Sequence, residues 1–223
     1  EKCRSMIEIM PLGGIGEGGM NCTLIRYGTT AILVDCGIYF PNLNHYGIEF
    51  AYPDFSIINN NNVELTAVLI THAHEDHIGS LPFLSREFKV PIYASKFCQL
   101  VLKRKEIERK KVLSFSANQP FKIGELEITA FPMSHSILEA HSLGIVCGDN
   151  RVFWSGDFKD DPSPPHSWKT DWDSIKKFSQ NGVSLLFSDS TNSLVPGASR
   201  SEETVKEKIF SAIEEAKGRV FVT

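Results

Sequence analysis

Long apolar runs are missing from these 223 residues. No stretch approaches the roughly 20 residues of a membrane-spanning helix, and the first residues lack a secretory signal's charged-then-apolar order. No membrane partner is expected. Cysteine is scarce and scattered: Cys3, Cys22, Cys36, Cys98 and Cys147 are odd in number and form no CxxC pair. That argues against a disulfide framework and suits reduced thiols in a cytoplasmic protein. An excess of positive charge is lacking too. The net charge is −4, so the chain as a whole shows no basic footprint for nucleic acid, and any such surface must be local. No internal repeat is visible. The 42% of hydrophobic residues suffice for a sizeable core in one or two domains.

What the chain does have is a dense run of ligand-type side chains. Thr71-His72-Ala73-His74-Glu75-Asp76-His77-Ile78-Gly79 places four potential ligands, three of the seven histidines and the Asp76 carboxylate, within six positions. It follows Ala67-Val68-Leu69-Ile70, which has the length and composition of a buried strand. Ligands leaving a strand end are held by a rigid sheet. His72 and His74, two apart, point the same way in extended chain. Asp76 and His77 follow as the backbone turns into the helix suggested by Leu81, Leu84 and Phe88. This pattern reads as a metal site rather than a histidine-rich surface loop.

Other strand ends supply further donors. Leu126–Phe131 alternates as a half-buried strand and runs out at Ser134-His135-Ser136. Arg151–Trp154 ends at Ser155-Gly156-Asp157-Phe158. Alone, His135 reads as a hydrogen-bonded structural residue and Asp157 as a turn former; beside the His run, both read as ligands. Asp76, His77 and Asp157 could serve one metal, with His72, His74, His135 and Asp157 serving the other. Mixed nitrogen and oxygen donors suit Zn2+ first and Mn2+ second. A two-metal centre of this kind performs hydrolysis, most commonly of phosphodiesters.

Three features invite other readings. Gly14-Ile15-Gly16-Glu17-Gly18-Gly19 satisfies GxGxxG, with Asp35 near the spacing of a ribose-binding acid. A dinucleotide site needs those glycines to open a helix, and here two strands follow, so the glycines instead let backbone pass close to the metal centre. Cys36 reads as a small buried residue, not a thiolate ligand. Lys103-Arg104-Lys105 and Arg109-Lys110-Lys111 read as a solvated helical face, with Glu106 paired to Lys110 at i,i+4, in preference to a phosphate track.

The expected elements begin with a strand at Met6–Met10 and a hairpin at about Cys22–Val34. A long loop to Asn62 precedes Ala67–Ile70, a helix from Asp76, a strand at Ile92–Ala94 and a helix through the basic cluster. Further strands are expected at Leu126–Phe131, His141–Cys147, Arg151–Trp154 and Ser184–Ser188. Helices at Trp172–Phe178 and Glu202–Ala216 should cover the faces. For the second of these, Ser199 and Glu202 suggest a capping box, and Val205, Ile209, Ile213 and Ala216 form one apolar stripe. The alternation predicts an α/β (α+β) fold of mixed sheets between helices.

THAHEDHIG, SHSI and SGDFK resemble the successive metal motifs of the metallo-beta-lactamase fold. With PLGGIGEGG, VDCGIYFP, GIEFAYPDFS and LLFSDSTN in that order, the chain resembles the ribonuclease J family, of the beta-CASP branch. The resemblance runs from about Leu12 to Thr223. It implies an αββα sandwich, incomplete in this chain, with residues 1–196 in the metallo-beta-lactamase domain and 197–223 opening a truncated beta-CASP domain. It implies a two-metal ribonuclease cutting RNA endonucleolytically and from a 5′-monophosphorylated end, oligomeric when whole. His72, His74, Asp76, His77, His135 and Asp157 fall on the family's metal ligands, and Asp76 also where the attacking water is oriented. Asp35 falls on the acid that supports the His motif from behind the ligands. Gly47 and Glu49 fall where some relatives hold a structural Ca2+, although those relatives have Asp in place of Glu49.

Two departures stand out. Ser136-Ile137-Leu138-Glu139 replaces the family's Ser-Ile-Pro with an acidic residue, which frees this loop in φ; His141 reads as a loop residue without a functional role. Arg219-Val220-Phe221-Val222-Thr223 reads as a strand cut off, with the family's last metal-binding His, its 5′-phosphate pocket and its C-terminal domain expected further on. The other readings are a superfamily hydrolase acting on DNA ends, thioesters or lactones, and a non-catalytic relative.

Overall fold

The computed structural model describes residues 6–60, 63–105, 107, 111–164 and 167–221. One sheet runs β1 (Ile7–Gly13), β2 (Cys22–Tyr27), β3 (Thr30–Val34), β4 (Ala67–Leu69), β5 (Ile92–Ala94) and β6 (Val112–Ser114) in spatial order. The first pairings are antiparallel, and β3 through β6 pair in parallel. A second sheet has the order β11 (Leu185–Phe187), β10 (Asn150–Trp154), β9 (His141–Cys147), β8 (Leu126–Pro132) and β7 (Phe121–Ile123). It is antiparallel except where β10 meets β11. Six helices are described: α1 (Ser56–Asn60), α2 (Glu75–Ile78), α3 (Leu81–Glu87), α4 (Lys96–Leu102), α5 (Trp172–Ser179) and α6 (Glu202–Glu215).

Strand periodicity builds the layers. In β3, Ile32 and Val34 face the second sheet and join Ile128, Leu143 and Ile145 between the sheets. Ala31 and Leu33, on the opposite face, join Ile58, Ile78, Leu81 and Leu84 of the helices. Successive side chains leave a strand on opposite faces, so a strand covered on both sides must be apolar throughout. On the far side of the second sheet, Phe131 and Phe153 pack with Ile175 and Phe178 of α5. Helix, sheet, sheet, helix is the αββα order expected of the sequence.

Strand direction positions the functional edge. Because β3 and β4 are parallel, Val34 and Leu69 hand the chain over at one edge. β8 and β10 are both antiparallel to β9, so their C-terminal ends also share an edge. Donors following β4, β8 and β10 therefore meet across the top of the sandwich.

Several expectations need correction. The basic cluster is not one helix: α4 ends at Leu102 and Lys103–Lys105 form a 3-10 turn. Glu106 and Arg109–Lys110, including the expected ion pair, lie outside the described residues, as does Cys3. His141, read from the sequence both as a loop residue and as the start of a strand, is the first residue of β9, buried against Phe115 and Trp168. Helix α6 is capped by Ser201, whose hydroxyl accepts from the Glu203 amide, so Ser199 is not the cap. Its stripe covers nothing among the described residues: Val205, Ile209 and Ile213 are all exposed. Arg219–Phe221 form no strand and pair with none among the described residues; Val222 and Thr223 lie outside the described residues. β6, β7 and α1 were not expected from the sequence.

Candidate metal centre

The site is built from the inside outward. Asp35 follows β3 in a left-handed conformation, φ 60°, and is buried beneath the His run. Its Oδ1 accepts from the Thr71 amide at 2.8 Å, and its Oδ2 accepts from the Thr71 hydroxyl, also at 2.8 Å. That hydroxyl has one proton, so it accepts from His72 Nδ1, 3.0 Å away. Asp35 Oδ2 also takes His77 Nδ1 at 2.8 Å. His72 therefore carries its proton on Nδ1 and turns a bare Nε2 toward the sheet edge, while His77 is anchored through Nδ1 with its Nε2 on the donor side, the way a carboxylate behind the ligands orients imidazoles for a metal. Sequence reasoning missed Thr71, whose position directly before His72 was the available signal.

The donors converge in two groups sharing His72: His72, His74 and His135, and His72, His77 and Asp157. Within each group the ligand atoms lie within 4.8 Å of one another. His74 Nδ1 lies 3.1 Å from both His72 Nε2 and His135 Nε2. Asp157 spans the groups, its Oδ1 3.3 Å from His77 Nε2 and its Oδ2 3.8 Å from His135 Nε2. Asp76 belongs to neither group; its Oδ2 stands 3.6 Å from His77 Nε2. The expected division into two sets therefore shifts, with His72 taking Asp76's place beside His77 and Asp157. Glu49 joins no cluster of three donors among the described residues, and Gly47 and Glu49 lie on an exposed loop.

Electrostatics keep most of these imidazoles neutral. Burial drives the pKa of His72 well down, helped by the charges of His77, His135 and His74. Burial likewise lowers His74 and His135. Burial is also the strongest single effect on His77, but Asp35 and Asp157 outweigh it and raise the pKa to about 10. Burial opposes the Asp157 carboxylate, yet His77 more than offsets it and holds the pKa below its usual value. Three nitrogens around one point, with a bare Nε2 on His72, lack positive charge at their centre. A divalent cation fits that donor set.

A second residue outside the sequence expectation is Asn21. Its amide donates to Asp76 O at 2.9 Å. Its Nδ2 donates to Asp76 Oδ2 at 3.3 Å and lies 3.0 Å from His77 Nε2. The glycine run forms the β1–β2 connection that delivers Asn21, and no helix follows it, which removes the dinucleotide reading. The glycine that passes closest to the donor loop is Gly37, where a Cβ would fall 1.5 Å from Asp76 O.

Residues 30–178 match the family model described as a beta-lactamase superfamily domain. The chain belongs to the beta-lactamase superfamily. Every converging donor lies inside the matched segment. The chain is 34% identical to Ribonuclease J of Helicobacter pylori over 99% of its own length and 33% of that protein. It is 36% identical to Ribonuclease J of Sinorhizobium meliloti over 97% of its length and 40% of that protein. The chain thus spans about a third to two fifths of the length of the relatives it matches. Among solved structures, a protein of unknown function from Enterococcus faecalis V583 superposes with TM-score 0.65 at 19% identity, covering 94% of this chain and 58% of that one. The metallo-beta-lactamase fold protein YhfI from Bacillus subtilis gives TM-score 0.56 at 21% identity, over 81% of this chain and 70% of that one. These two bear on the superfamily fold alone.

Proposed function

We propose that this chain is the catalytic part of a metal-dependent ribonuclease that hydrolyses RNA phosphodiesters, as both exonuclease from the 5′ end and endonuclease. The observation that carries the proposal is the convergence of His72, His74, His135, His77 and Asp157 into two donor groups at one sheet edge. Sequence similarity to ribonuclease J along nearly the whole chain supports RNA as substrate. Zn2+ is the preferred occupant and Mn2+ the second, given mixed imidazole and carboxylate donors. A cation pair held there supplies charge that acidifies water and neutralises the phosphate under attack.

The chain's own residues do the positioning. Asp35 and Thr71 orient His72 and His77, and Asp157 ties the two groups together. Asp76 is held by Asn21 while its carboxylate stays 34% exposed, so it can accept a proton from the attacking water. Residues 1–196 then form the metallo-beta-lactamase domain, and 197–223 open a beta-CASP segment. A cytoplasmic protein acting on 5′-monophosphorylated RNA completes the reading; among the described residues no helix is long and apolar enough to cross a membrane.

The test is cleavage of a labelled 5′-monophosphorylated RNA by the intact gene product and its Asp76→Ala variant. Cleavage should fall by orders of magnitude while RNA binding persists, because affinity comes from phosphate contacts spread along the strand. Loss of binding in equal proportion would make Asp76 a docking residue. Turnover of thioesters or lactones with no RNA cleavage would favour another superfamily hydrolase.

A further inference from the structure

We propose that α3 and the turn after α4 form a phosphate-binding site for the RNA strand, a proposal that rests on the nuclease reading above. Ser85, Arg86, Lys89, Lys105 and Lys111 line an open pocket of about 200 Å³. Four cations meet there in a chain whose net charge is −4, and no carboxylate is among the described residues that line it. The placement follows from helix geometry. Leu81 and Leu84 bury one face of α3, which leaves Pro82, Ser85 and Arg86 on its outer side, and Lys89, two residues past the end of the helix, folds back to the Ser85 carbonyl. Ile107, buried, pins the segment beyond α4 against the helical core and closes the pocket.

The cations are held rather than loose. Lys89 Nζ donates to Ser85 O at 2.7 Å, which fixes the ammonium over the last turn of α3. Arg86 lies over the Phe83 ring, 5.4 Å from its centroid. Phe83 stacks on Tyr52 at 4.6 Å and 2°. A guanidinium held against a ring keeps its fork of N–H donors in one plane, the form that grips phosphate. Lys105 pairs with Glu75 at 2.7 Å, and Glu75 sits between His74 and Asp76. The pocket is therefore one ion pair from the donor loop. The pocket's volume suits a phosphate with its sugar rather than an acidic helix, so a polynucleotide backbone is the favoured occupant.

The experiment uses the intact gene product carrying Asp76→Ala, so that the probe is not consumed, with and without Arg86→Ala and Lys89→Ala together. The probe is a fluorescein-labelled single-stranded oligouridylate followed by anisotropy across a salt series. Both side chains are exposed, and surface substitutions of this kind change stability little, so the fold should survive, which a thermal melt checks. Losing two phosphate contacts should weaken binding about tenfold and lower the log–log salt slope by about 1.4, at roughly 0.7 per contact for a single strand. Arg86→Lys with Lys89→Arg should restore most of the affinity. Unchanged affinity and slope would overturn the site, as would a loss confined to inorganic phosphate or to an acidic peptide used as competitor. RNA cleavage by the chain without these substitutions reports separately on the nuclease reading. If cleavage stands while binding ignores the double substitution, only this site falls. If the slope drops but no cleavage is seen, only the nuclease reading falls.

Discussion

Two stretches of this chain carry equally clear apolar patterns and meet opposite fates. In β3, Ile32 and Leu33 are fully buried between the two sheets and under the helices. In α6, Ile209 is 49% exposed and Phe210 56% exposed, although Val205, Ile209 and Ile213 keep helical spacing. The difference is not in the residues but in what is opposite them. β3 has neighbours on both edges and both faces, whereas among the described residues α6 is anchored near its start, by Asp161 accepting from the Glu202 amide, by Ser201 donating to Ser163 O and by the Lys159–Glu202 ion pair. Pattern names the face an element wants to cover; only topology supplies the cover.

The largest effect on this contrast should come from Asp35, beneath the site and at the end of β3. Asp35→Ala strips partners from the Thr71 amide, the Thr71 hydroxyl and His77 Nδ1 at once. Breaking a buried charged network typically costs about 3–5 kcal/mol, and metal retention should fall with it. Urea unfolding and elemental analysis of the variant measure both. A loss below about 1 kcal/mol would mean the network relaxes into water and the site is looser than drawn.

A paired truncation sharpens the comparison itself. Ile32→Ala should cost about 2–5 kcal/mol through the cavity it leaves, and Ile209→Ala no more than about 0.5 kcal/mol as an exposed change. Equal denaturant midpoints would show that α6 is covered in solution.

His141 gives a pH signature. Burial pushes its pKa down to about 4, and among the described residues its Nδ1 finds no hydrogen-bond partner. At neutral pH it is uncharged in both states and contributes nothing. As pH falls below the unfolded value near 6.5, the unfolded chain takes a proton that the native one refuses, so stability drops until about pH 4 and then levels. The loss is about 3 kcal/mol on the scale of 1.36 per unit. His141→Phe, which keeps the ring between Phe115 and Trp168, should flatten that part of a metal-free stability–pH curve. A curve of unchanged slope would place the acid sensitivity elsewhere.

How much of this was legible follows the same division. The αββα order was readable because β3, β4, β8 and β9 are long or continuous enough for periodicity to show. His72, His74, His77, His135 and Asp157 were legible as chemistry at strand ends, and strand direction then brought them together. Thr71 and Asn21 were not, because hydroxyl and amide side chains advertise no function until their neighbours are known. The basic cluster was misread as one helical face because sequence spacing shows neither where α4 stops nor that Lys105 turns to Glu75. The cap and cover of α6 failed for want of a partner element, which no local pattern supplies.

The most direct measurement is metal content per chain of the purified protein, set beside His72→Ala. His72 is the one donor common to both groups, so its loss should strip divalent metal from both while the buried cores keep their cooperative unfolding. The intact protein should hold up to two divalent ions per chain, matching the two donor groups, and the variant close to none. Equal metal in both would contradict a centre built on His72 and leave the converging imidazoles without a cation to explain them.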